Sequence, residues 1–518
     1  MIKKLPLNNK PIKINRALIS VYDKSGIVDF AKILNELNIE ILSTGGTAKL
    51  ISDSNIPIID VTNYTKFPEI MNGRVKTINP LIGGGILGLR DKHKQEAKQN
   101  SIKWIDLIIC NLYPFSKAIN KKNHDIALAL ENIDIGGPTM IRSAAKNCGW
   151  VCVGTNQNDY QMITSELKEK GVISFKTRYE LSSKAFGYTA QYDTAIHNFF
   201  KLEPLSNNFS ISFTKYSNLR YGENPHQNAA AYKTPNDNSN NILNAKIHQG
   251  KKLSYNNIMD ADGALACLKE FNDPCCVIVK HANPCGVSTK KNILDAYINA
   301  FNADSISAFG GIIALNRKCS KKVAEEISKM FVEIVIAPDF DSTALKVFKK
   351  KKNLRVLQIN KLKKRKSKLE IRNIDGGILV QELDTKTLTI NDLKIVTKRI
   401  PNKKEIKTAL FTWRVLKHTK SNGILIAKDN TTVGLGAGQV SRVDAVHMAL
   451  KKGGNKVKKA VLASDAFFPF RDSIDAIGKT GIKTIIQPGG SIRDTEVIEA
   501  CNEYGISMLF TGTRCFKH

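Results

Sequence analysis

The chain has 518 residues, too many for one hydrophobic core, so two or three domains are expected, and no apolar run is long enough to cross a bilayer. Hydrophobic residues make up 42% of the sequence and aromatic residues 7%, which is typical of globular proteins. The formal net charge of +31 comes from scattered lysines without a zinc-finger, helix-turn-helix or RRM signature, so a Lys-rich surface is favoured over a nucleic-acid-binding protein.

The start of the chain predicts no secretory signal. Residues 1–15 are basic but contain neither an apolar core nor a small-residue cleavage site, so a cytoplasmic protein is expected. Apolar runs at 16–22, 39–42 and 56–61 then alternate with helical apolar faces. This strand–helix–strand–helix–strand order predicts an α/β domain with a parallel sheet.

Small polar loops follow the first strands of this domain. The pair Gly45 and Gly46 lies at a predicted helix start, where free backbone N–H groups can bind an anion, although a plain turn also explains the sequence. No G-x-x-x-x-G-K-[ST] motif occurs, which excludes a nucleoside-triphosphatase loop. Later loops add Arg74, Lys76 and the segment 133–138 before another helix. Ligands of open α/β sheets bind at such strand ends.

A strand that ends in a cation and a histidine stands out in the second half. Residues 276–279 form an apolar run, and Lys280, His281 and an Asn-Pro-Cys-Gly sequence follow it. Adjacent side chains of a strand point in opposite directions, so Lys280 and His281 can share a site only where strand geometry ends. Pro284 and Gly286 are expected to provide that departure.

The sequence around His281 does not predict a metal site. Zinc deaminases need H-x-E and P-C-x-x-C, but Asn283 and Ser288 stand where the Glu and the second Cys would be. The ten cysteines form no C-x-x-C pair, so reduced and mostly buried thiols are expected. A neighbouring ammonium disfavours a protonated imidazole, so a general base and a structural histidine are equally supported by the residues alone.

Strands and loops continue to the end of the chain. The strands predicted at 424–427, 461–465 and 483–487 each lead into a loop rich in small residues. The sequence G-x-G-x-G at 434–438 is not G-x-G-x-x-G, so a dinucleotide-binding fold is not supported. The later part of the chain is predicted to pack as two similar α/β units.

Taken together, the motifs resemble the family of bifunctional purine biosynthesis proteins, which join an aminoimidazole carboxamide ribotide (AICAR) formyltransferase to an inosinate (IMP) cyclohydrolase. The second half contributes R-Y-G-E-N-P-H-Q, K-H-A-N-P-C-G, S-A-F-G-G, S-N-G with G-L-G-A-G-Q-V-S-R, and S-D-A-F-F-P-F-R-D. The first half contributes S-T-G-G-T-A-K, F-P-E-I-M-N-G-R-V-K-T, C-N-L-Y-P-F and I-D-I-G-G-P-T. These motifs extend over essentially the whole chain, in the family's domain order.

The resemblance implies an α/β protein with a methylglyoxal-synthase-like cyclohydrolase domain at 1–205. A larger cytidine-deaminase-like formyltransferase domain follows at 206–518, as two similar α/β units with a break near 360–375. The implied protein is a cytoplasmic homodimer whose formyltransferase sites lie across the interface. It would need no metal and would bind neither nucleic acid nor membrane.

The resemblance also implies the chemistry of the larger domain, which would transfer the formyl group of 10-formyltetrahydrofolate to AICAR. His281 matches the base that removes a proton from the attacking amine, and Lys280 matches its partner. Guanidinium groups suit the phosphate of the ribotide. Residues matched to ribotide binding are Arg220, Tyr221, Asn257, Phe309, Gly310, Asp339, Asn422, Arg442, Phe467 and Arg514. Those near the folate are Ser441, Asp472, Ser491 and Ile492.

The first domain would close formyl-AICAR to IMP with loss of water. Lys146 matches the family's proton-transfer lysine, and Lys76, Tyr113 and Asp134 match its other catalytic residues. Residues matched to nucleotide binding are Tyr22, Asp23, Lys24, Thr44, Gly45, Gly46, Thr47, Arg74, Thr77, Cys110, Asn111 and Ile135.

The chain departs from the family pattern mainly beside the cyclohydrolase residues. Asn79 and Gly83 stand where the family usually has histidine, and Asn72 and Cys515 replace a common acidic residue and a common histidine. Asn79 can form hydrogen bonds but cannot carry a proton. Two alternatives therefore stay open: a basic nucleic-acid-binding protein, and a formyltransferase whose first domain is only a ligand-binding or allosteric module.

Overall fold

The computed structural model describes residues 7–113, 115, 125–360, 362 and 369–518. It divides into two compact units, Met1–Phe213 and Thr214–His518, here called the small and the large unit. The sequence analysis set this boundary at 205/206, inside the segment 201–213, which forms neither helix nor strand. The break expected near 360–375 lies partly outside the described residues. None of the described helices is both long and apolar enough to span a membrane.

The small unit contains a five-stranded parallel sheet in the order β3-β2-β1-β4-β5, which confirms the predicted α/β architecture. Its strands are Arg16–Val21 (β1), Glu40–Ser43 (β2), Ile59–Asp60 (β3), Leu107–Asn111 (β4) and Cys152–Gly154 (β5). Its helices are Ile27–Glu36, Gly45–Asp53, Val61–Thr65, Pro80–Leu87, Lys94–Gln99, Ile126–Glu131, Gly136–Lys146, Gln157–Lys170 and Phe175–Phe200, with a 3-10 turn at Met71–Gly73.

The central strands of this sheet are apolar because helices cover both of its faces. Leu18 and Ile19 in β1 and Ile108 and Ile109 in β4 are completely buried, as strands of a doubly covered parallel sheet must be. Strand β3 is shorter than the predicted run 56–61. It ends at Asp60 because that side chain accepts a hydrogen bond from Thr62 N at 2.8 Å and caps the next helix.

The large unit begins with a separate hairpin and continues into a twelve-stranded sheet. Its first strands are Thr214–Asn218 (β6), Ala230–Lys233 (β7), Lys246–Gln249 (β8), Cys275–Lys280 (β9), Asn283–Thr289 (β10), Ile312–Leu315 (β11), Ile334–Ala337 (β12) and Arg355–Gln358 (β13). Those that follow are Leu369–Ile374 (β14), Gly377–Glu382 (β15), Lys394–Ile395 (β16), Ile424–Lys428 (β17), Thr431–Gly436 (β18), Val461–Ser464 (β19), Thr484–Gln487 (β20) and Ser507–Phe510 (β21). Strands β6 and β7 pair only with each other, as do β14 and β15.

The helices of the large unit connect these strands. Those of its first part are Tyr255–Leu268, Ile293–Ala303, Ser305–Ala308, Lys321–Ile327 and Ser342–Lys349. Those of its second part are Lys403–Leu416, Arg442–Gly453, Asp472–Gly478 and Asp494–Glu503. Short 3-10 turns lie at Ile242–Asn244, Ile390–Asp392 and Gly454–Val457.

Two repeats of the same topology form the twelve-stranded sheet. The first repeat has the order β10-β9-β11-β12-β13-β8, and the second has the order β18-β17-β19-β20-β21-β16. In both, an antiparallel hairpin is followed by three mutually parallel strands and then by an antiparallel edge strand. The repeats meet where β10 runs antiparallel to β18, with Ser288 opposite Thr431. This arrangement confirms the prediction of two similar α/β units.

The two faces of this sheet pack differently. On one face a single hydrophobic core combines residues of both repeats, and the rings of Phe271 and Phe411 meet there with 5.4 Å between centroids. On the other face each repeat has a core of its own, one around Phe348 and the other around Phe468. The two repeats therefore share the core on one face of the sheet and have separate cores on the other.

Candidate active sites

A two-residue turn presents His281 at the end of β9. His281 and Ala282 have φ angles of 52° and 58°, both left-handed, and β10 begins at the next residue. Pro284 and Gly286 therefore lie within β10, with a bulge between them, and do not provide the turn that the sequence led us to expect. The reason is that a two-residue hairpin loop with positive φ matches the natural twist of paired strands.

Side chains on both sides hold this turn in place. Asp260 Oδ1 accepts a hydrogen bond from Ala282 N at 2.7 Å. Asn283 Nδ2 donates to His281 O at 3.1 Å, and its Oδ1 accepts from Lys420 N at 3.1 Å. The turn is thereby connected to the segment that leads into β17 of the second repeat. His281 itself is exposed to solvent.

The Lys280 side chain contacts the loop that precedes β11. Its Nζ donates a hydrogen bond to Phe309 O at 2.7 Å, which places the ammonium beside the predicted residues Phe309 and Gly310. The next element is β11, whose Ile312 pairs with Val279. Lys280 and the backbone at 309–311 therefore belong to the same edge of the sheet as His281.

Most of the predicted formyltransferase residues lie at this one edge, here called the His281 edge. The carboxyl ends of β9, β19, β20 and β21 and the amino ends of β11 and β17 meet there, as the strand register requires. The predicted residues that follow or precede these ends are Lys280, His281, Phe309, Gly310, Asn422, Ser441, Arg442, Phe467, Asp472, Ser491, Ile492 and Arg514.

The predicted residues Arg220 and Tyr221 lie in the loop between β6 and β7, which also approaches this edge. Asn256 Nδ2 donates to Glu223 O at 3.4 Å, so the loop contacts the first turn of helix Tyr255–Leu268. The predicted Asn257 belongs to that turn, and Asp260, which contacts the His281 turn, lies one turn further along the helix. Arg220 and Tyr221 therefore belong to a loop that contacts the helix whose Asp260 holds the His281 turn, and Asn257 belongs to that helix.

The structure does not bring Asp339 to this edge. Ile334, at the start of β12, is level with Ile312 and Val279, so Asp339 follows β12 at the opposite edge, where it lies 3.5 Å from Lys318. At the His281 edge β12 is preceded by Glu333, whose N–H donates to Gly311 O and whose carboxylate forms an ion pair with Arg355. The sequence analysis did not single out Glu333. Strands β11, β12 and β13 all begin at this edge, so residues that follow them lie at the other one.

A cavity of about 700 Å³ opens at the same edge in the second repeat. Four predicted residues line it: Asn422, Arg442, Phe467 and Arg514. Backbone at 488–490 and Gly512 completes the wall. The exposed side chain of Ile492 and the predicted folate residues Ser441, Asp472 and Ser491 belong to loops and helix starts beside it.

Within this cavity Arg442 is a structural cation. Its side chain is buried and forms an ion pair with the fully buried Asp465, while Nη1 also donates to Ser464 Oγ at 3.0 Å. Its Nη2 donates to Asn422 Oδ1 at 2.6 Å, and Asn422 Nδ2 donates to the carbonyls of residues 439 and 440. The ion pair and these hydrogen bonds fix Arg442 and Asn422 relative to each other, and the predicted phosphate contact of Arg442 stays a prediction.

Arg514 is the cation that remains exposed in the cavity wall. Its guanidinium lies 4.8 Å from the ring centroid of Phe516, and within the described segments it forms no ion pair. An exposed guanidinium in a concave site can bind a phosphate through two parallel hydrogen bonds.

In the small unit, Asn111 organises the first predicted nucleotide loop. Its Oδ1 accepts hydrogen bonds from Tyr22 N at 2.7 Å and Asp23 N at 2.9 Å, and its Nδ2 donates to Asp23 O. The rings of Tyr22 and Tyr113 are 5.2 Å apart, and both side chains are half-exposed. These residues, predicted from two distant motifs, therefore form one surface at the carboxyl ends of β1 and β4.

Two lysines flank the glycine loop after β2. A Cβ placed on Gly45 would lie 3.4 Å from Lys76 Nζ, and one on Gly46 would lie 3.8 Å from Lys24 Nζ. The helix that begins at Gly45 receives no side-chain cap from Thr44, so its first N–H groups are free for a ligand. Two ammonium groups beside free N–H groups make an anion site, which favours this interpretation over a plain turn.

Asp134 closes the other side of the same loop cluster. Its Oδ1 accepts from Gly137 N at 2.8 Å, and its own N–H donates to Tyr192 Oη at 2.7 Å. Burial raises the pKa of the Asp134 carboxyl, while the Gly137 N–H and the Lys76 ammonium act in the opposite direction. A Cβ on Gly136 would lie 2.6 Å from Thr77 Oγ1, so Thr77 also belongs to this cluster.

Lys146 does not join Asp134 within one chain. The helix Gly136–Lys146 begins at the loop cluster, and Lys146 is its last residue. Ten residues at 1.5 Å each separate the two ends by roughly 15 Å, which is longer than a lysine side chain. Lys146 is exposed at the far end of the small unit's sheet.

Three other residues predicted to bind the nucleotide differ in their exposure. Arg74 forms an exposed ion pair with Glu131, and Ile135 is exposed. Cys110 is buried, and burial raises the pKa of its thiol, so its side chain is neither reactive nor accessible to a nucleotide. Among the residues that the structure describes, no group of three or more His, Cys, Asp or Glu side chains could hold a metal ion.

The departures from the family pattern have a structural explanation at Asn79. Its Oδ1 accepts from Leu81 N at 2.9 Å, so Asn79 is the N-cap of helix Pro80–Leu87. Asparagine is among the strongest N-cap residues. Gly83 lies in the same helix, and a Cβ there would meet no atom within 4 Å, so the position has room for a side chain.

We expect Asn79→Ala to destabilise the small unit by about 1 kcal/mol, because the N-cap hydrogen bond is lost. The free energy of unfolding from a denaturant titration measures this effect. Asn79→Ser, which retains a capping oxygen, is the matched control and should stay close to the parent chain. An equal loss in both variants would show that the cap is not what Asn79 contributes.

Comparison with known proteins places these sites in a family context. Residues 144–452 match the model of the AICARFT/IMPCHase bienzyme, and residues 26–139 match that of the MGS-like domain. The bifunctional purine biosynthesis protein PurH of Acetivibrio thermocellus is 50% identical over 513 residues, covering 98% of this chain and 100% of that protein. The PurH of Caldicellulosiruptor saccharolyticus is 49% identical over 511 residues, covering 97% and 99%. A solved structure titled "Crystal structure of ForH" matches with a TM-score of 0.34 and 29% identity, covering 36% of this chain and 96% of that one.

Proposed function

The chain belongs to the AICARFT/IMPCHase bienzyme family and catalyses the final two steps of IMP synthesis, and we propose that its large unit performs the formyl transfer and its small unit the ring closure. This assignment of the two steps to the two units is supported by the position of the predicted formyltransferase residues, most of which lie at the His281 edge of the large unit. The loop cluster around Lys76 and Asp134 lies in the other unit.

In the formyl transfer, the 5-amino nitrogen of AICAR attacks the formyl carbon of 10-formyltetrahydrofolate. The bond from that carbon to N10 of the folate breaks, and the amine loses a proton to His281 while N10 gains one. The exposed imidazole at the tip of a held turn suits a general base that must meet a substrate. Lys280 stabilises negative charge beside the formyl oxygen and the folate.

The exposed guanidinium of Arg514 would hold the ribotide phosphate, with Asn422 and Phe467 on the same cavity wall. Arg514→Ala should therefore raise the KM for AICAR about 10- to 100-fold, the loss expected for a charge-assisted hydrogen bond. The measurement is the initial rate of formyl transfer as a function of AICAR concentration. Lys318→Ala, at the opposite edge, is the matched control. A KM that is unchanged in Arg514→Ala would remove this residue from the ribotide site.

A second copy of the chain would complete the formyltransferase site. The His281 turn and the cavity lie at the same edge of one sheet, where Lys420, two residues before Asn422 of the cavity wall, donates to Asn283 Oδ1 beside the turn. We propose that the enzyme is a homodimer whose formyltransferase sites lie across the interface, as the resemblance to the family implies.

In the small unit, Lys24, Lys76 and the free N–H groups after Thr44 would bind the nucleotide phosphate. The carboxamide nitrogen of formyl-AICAR attacks the formyl carbon, and water leaves after proton transfer. Asp134, whose pKa is raised, suits the exchange of a proton with the leaving oxygen. Lys146 would reach this cluster from the partner protomer.

All ten cysteines are free, and nine of them are buried. Unpaired thiols in this number favour a reducing compartment, which supports the cytoplasm as the location of this enzyme. The folate cosubstrate would be bound beside Ser441, Asp472, Ser491 and Ile492.

A further inference from the structure

The turn that carries His281 contains one residue that does not favour its conformation. Both of its residues have positive φ angles, which histidine adopts more readily than most residues but alanine adopts poorly. The equivalent turn of the second repeat joins β17 to β18 through Asp429 and Asn430, with φ angles of 52° and 54°. Aspartate and asparagine are among the residues that adopt this conformation readily. The second turn is therefore supported by its own sequence, whereas the first needs support from outside.

That support comes from the helix before β9. Asp260 Oδ1 accepts the N–H of Ala282 at 2.7 Å, a shorter hydrogen bond than the two that Asn283 forms beside the turn, and Asp260 lies in the second turn of helix Tyr255–Leu268. The face of that helix opposite to solvent packs in the shared core through Ala261, Ala264 and Leu265. The acceptor is thereby carried by a helix that is anchored in the core.

We propose that Asp260 is a positioning residue for formyl transfer: it fixes Ala282 in the left-handed conformation and so aims the His281 imidazole at the substrate amine. The proposal rests on the proposed role of His281 as the base. Asp260 needs no proton exchange for this function, because a neutral amide oxygen accepts the same N–H. A misdirected base lowers the rate of the chemical step without removing any ribotide or folate contact.

Four variants of the full-length enzyme test the proposal. In Asp260→Ala we expect the kcat of formyl transfer to fall about 10- to 100-fold, with the KM for AICAR and for 10-formyltetrahydrofolate unchanged. Asp260→Asn retains the acceptor and should stay within about threefold of the parent kcat. In the double variant Asp260→Ala with Ala282→Gly, glycine adopts the turn without help and should recover most of the lost kcat. Asn430→Gly, in the equivalent turn, should change nothing.

The ring-closure activity and the melting temperature of the same preparations are the control for folding. Each variant should close supplied formyl-AICAR to IMP at the parent rate, since the small unit is untouched, and should keep the parent melting temperature. The positioning role would be overturned if Ala282→Gly did not restore the kcat lost in Asp260→Ala. It would also be overturned if Asp260→Asn lost as much kcat as Asp260→Ala. An unchanged kcat in Asp260→Ala while His281→Ala is inactive would overturn it as well. If His281→Ala itself keeps the parent kcat, the proposed role of His281 fails first.

Discussion

Replacing His281 by alanine should reduce formyl transfer by about 10²- to 10⁴-fold, the range that general base catalysis contributes. The imidazole is exposed at the tip of a turn, so its removal leaves no cavity and breaks no packing contact. The same variant should still convert supplied formyl-AICAR to IMP at the parent rate, because no residue of the small unit is altered. Both rates can be followed in one preparation by supplying either AICAR with 10-formyltetrahydrofolate or formyl-AICAR alone.

The matched control for His281→Ala lies in the second repeat. Asp429→Ala changes the equivalent turn at the opposite edge, where Asp429 pairs with Lys404 at 2.6 Å. This variant should retain both activities. If formyl transfer survives in His281→Ala, or if ring closure disappears with it in a folded protein, then the division of the two steps between the units is wrong.

Lys146→Ala should have the opposite effect and reduce ring closure by about 10²- to 10⁴-fold while formyl transfer continues. Lys146 is exposed at the end of its helix, so the variant should fold normally. The measurement is the rate of IMP formation from supplied formyl-AICAR. Lys168→Ala, another exposed lysine of the small unit, is the matched control and should leave this rate unchanged.

The position of Lys146 makes a sharper test possible. Lys146→Ala and Asp134→Ala should each be inactive in ring closure as pure proteins. If each site combines Asp134 of one protomer with Lys146 of the other, a mixed dimer regains one intact site, and a statistical mixture regains about a quarter of all sites. If both residues act within one chain, no mixture of the two variants regains activity, which would contradict the shared site.

The sequence alone predicted the parts of the fold that depend on local patterns. The alternation of apolar runs with helical faces correctly indicated the parallel sheet of the small unit, because buried strands and amphipathic helices differ in period. The two similar units of the large region were also predicted, although their identical strand order becomes visible only in the pairing. Strands that pair come from distant parts of the chain, so a local sequence pattern does not predict which strands will pair.

Sequence reasoning was weaker where geometry depends on such distant partners. The Asn-Pro-Cys-Gly sequence at 283–286 was read as a turn because of its proline and glycine, but pairing with β9 makes it the start of the strand Asn283–Thr289. The ion pair of Arg442 was not foreseen, since nothing in the sequence indicated that Asp465 would be buried beside it. Glu333 was overlooked because its edge of the sheet follows from the direction of β12 relative to β9. Each error concerns the orientation of an element that the sequence located correctly.

The core that joins the two repeats also determines how this protein can be divided. A fragment that ended in the 360–375 region would keep its own core on one sheet face but would expose the other, which Phe271 and Phe411 now close together. Such a fragment would present a large apolar surface and would associate with its complement or with itself. A single repeat is therefore expected to fold stably only when the other repeat covers this face.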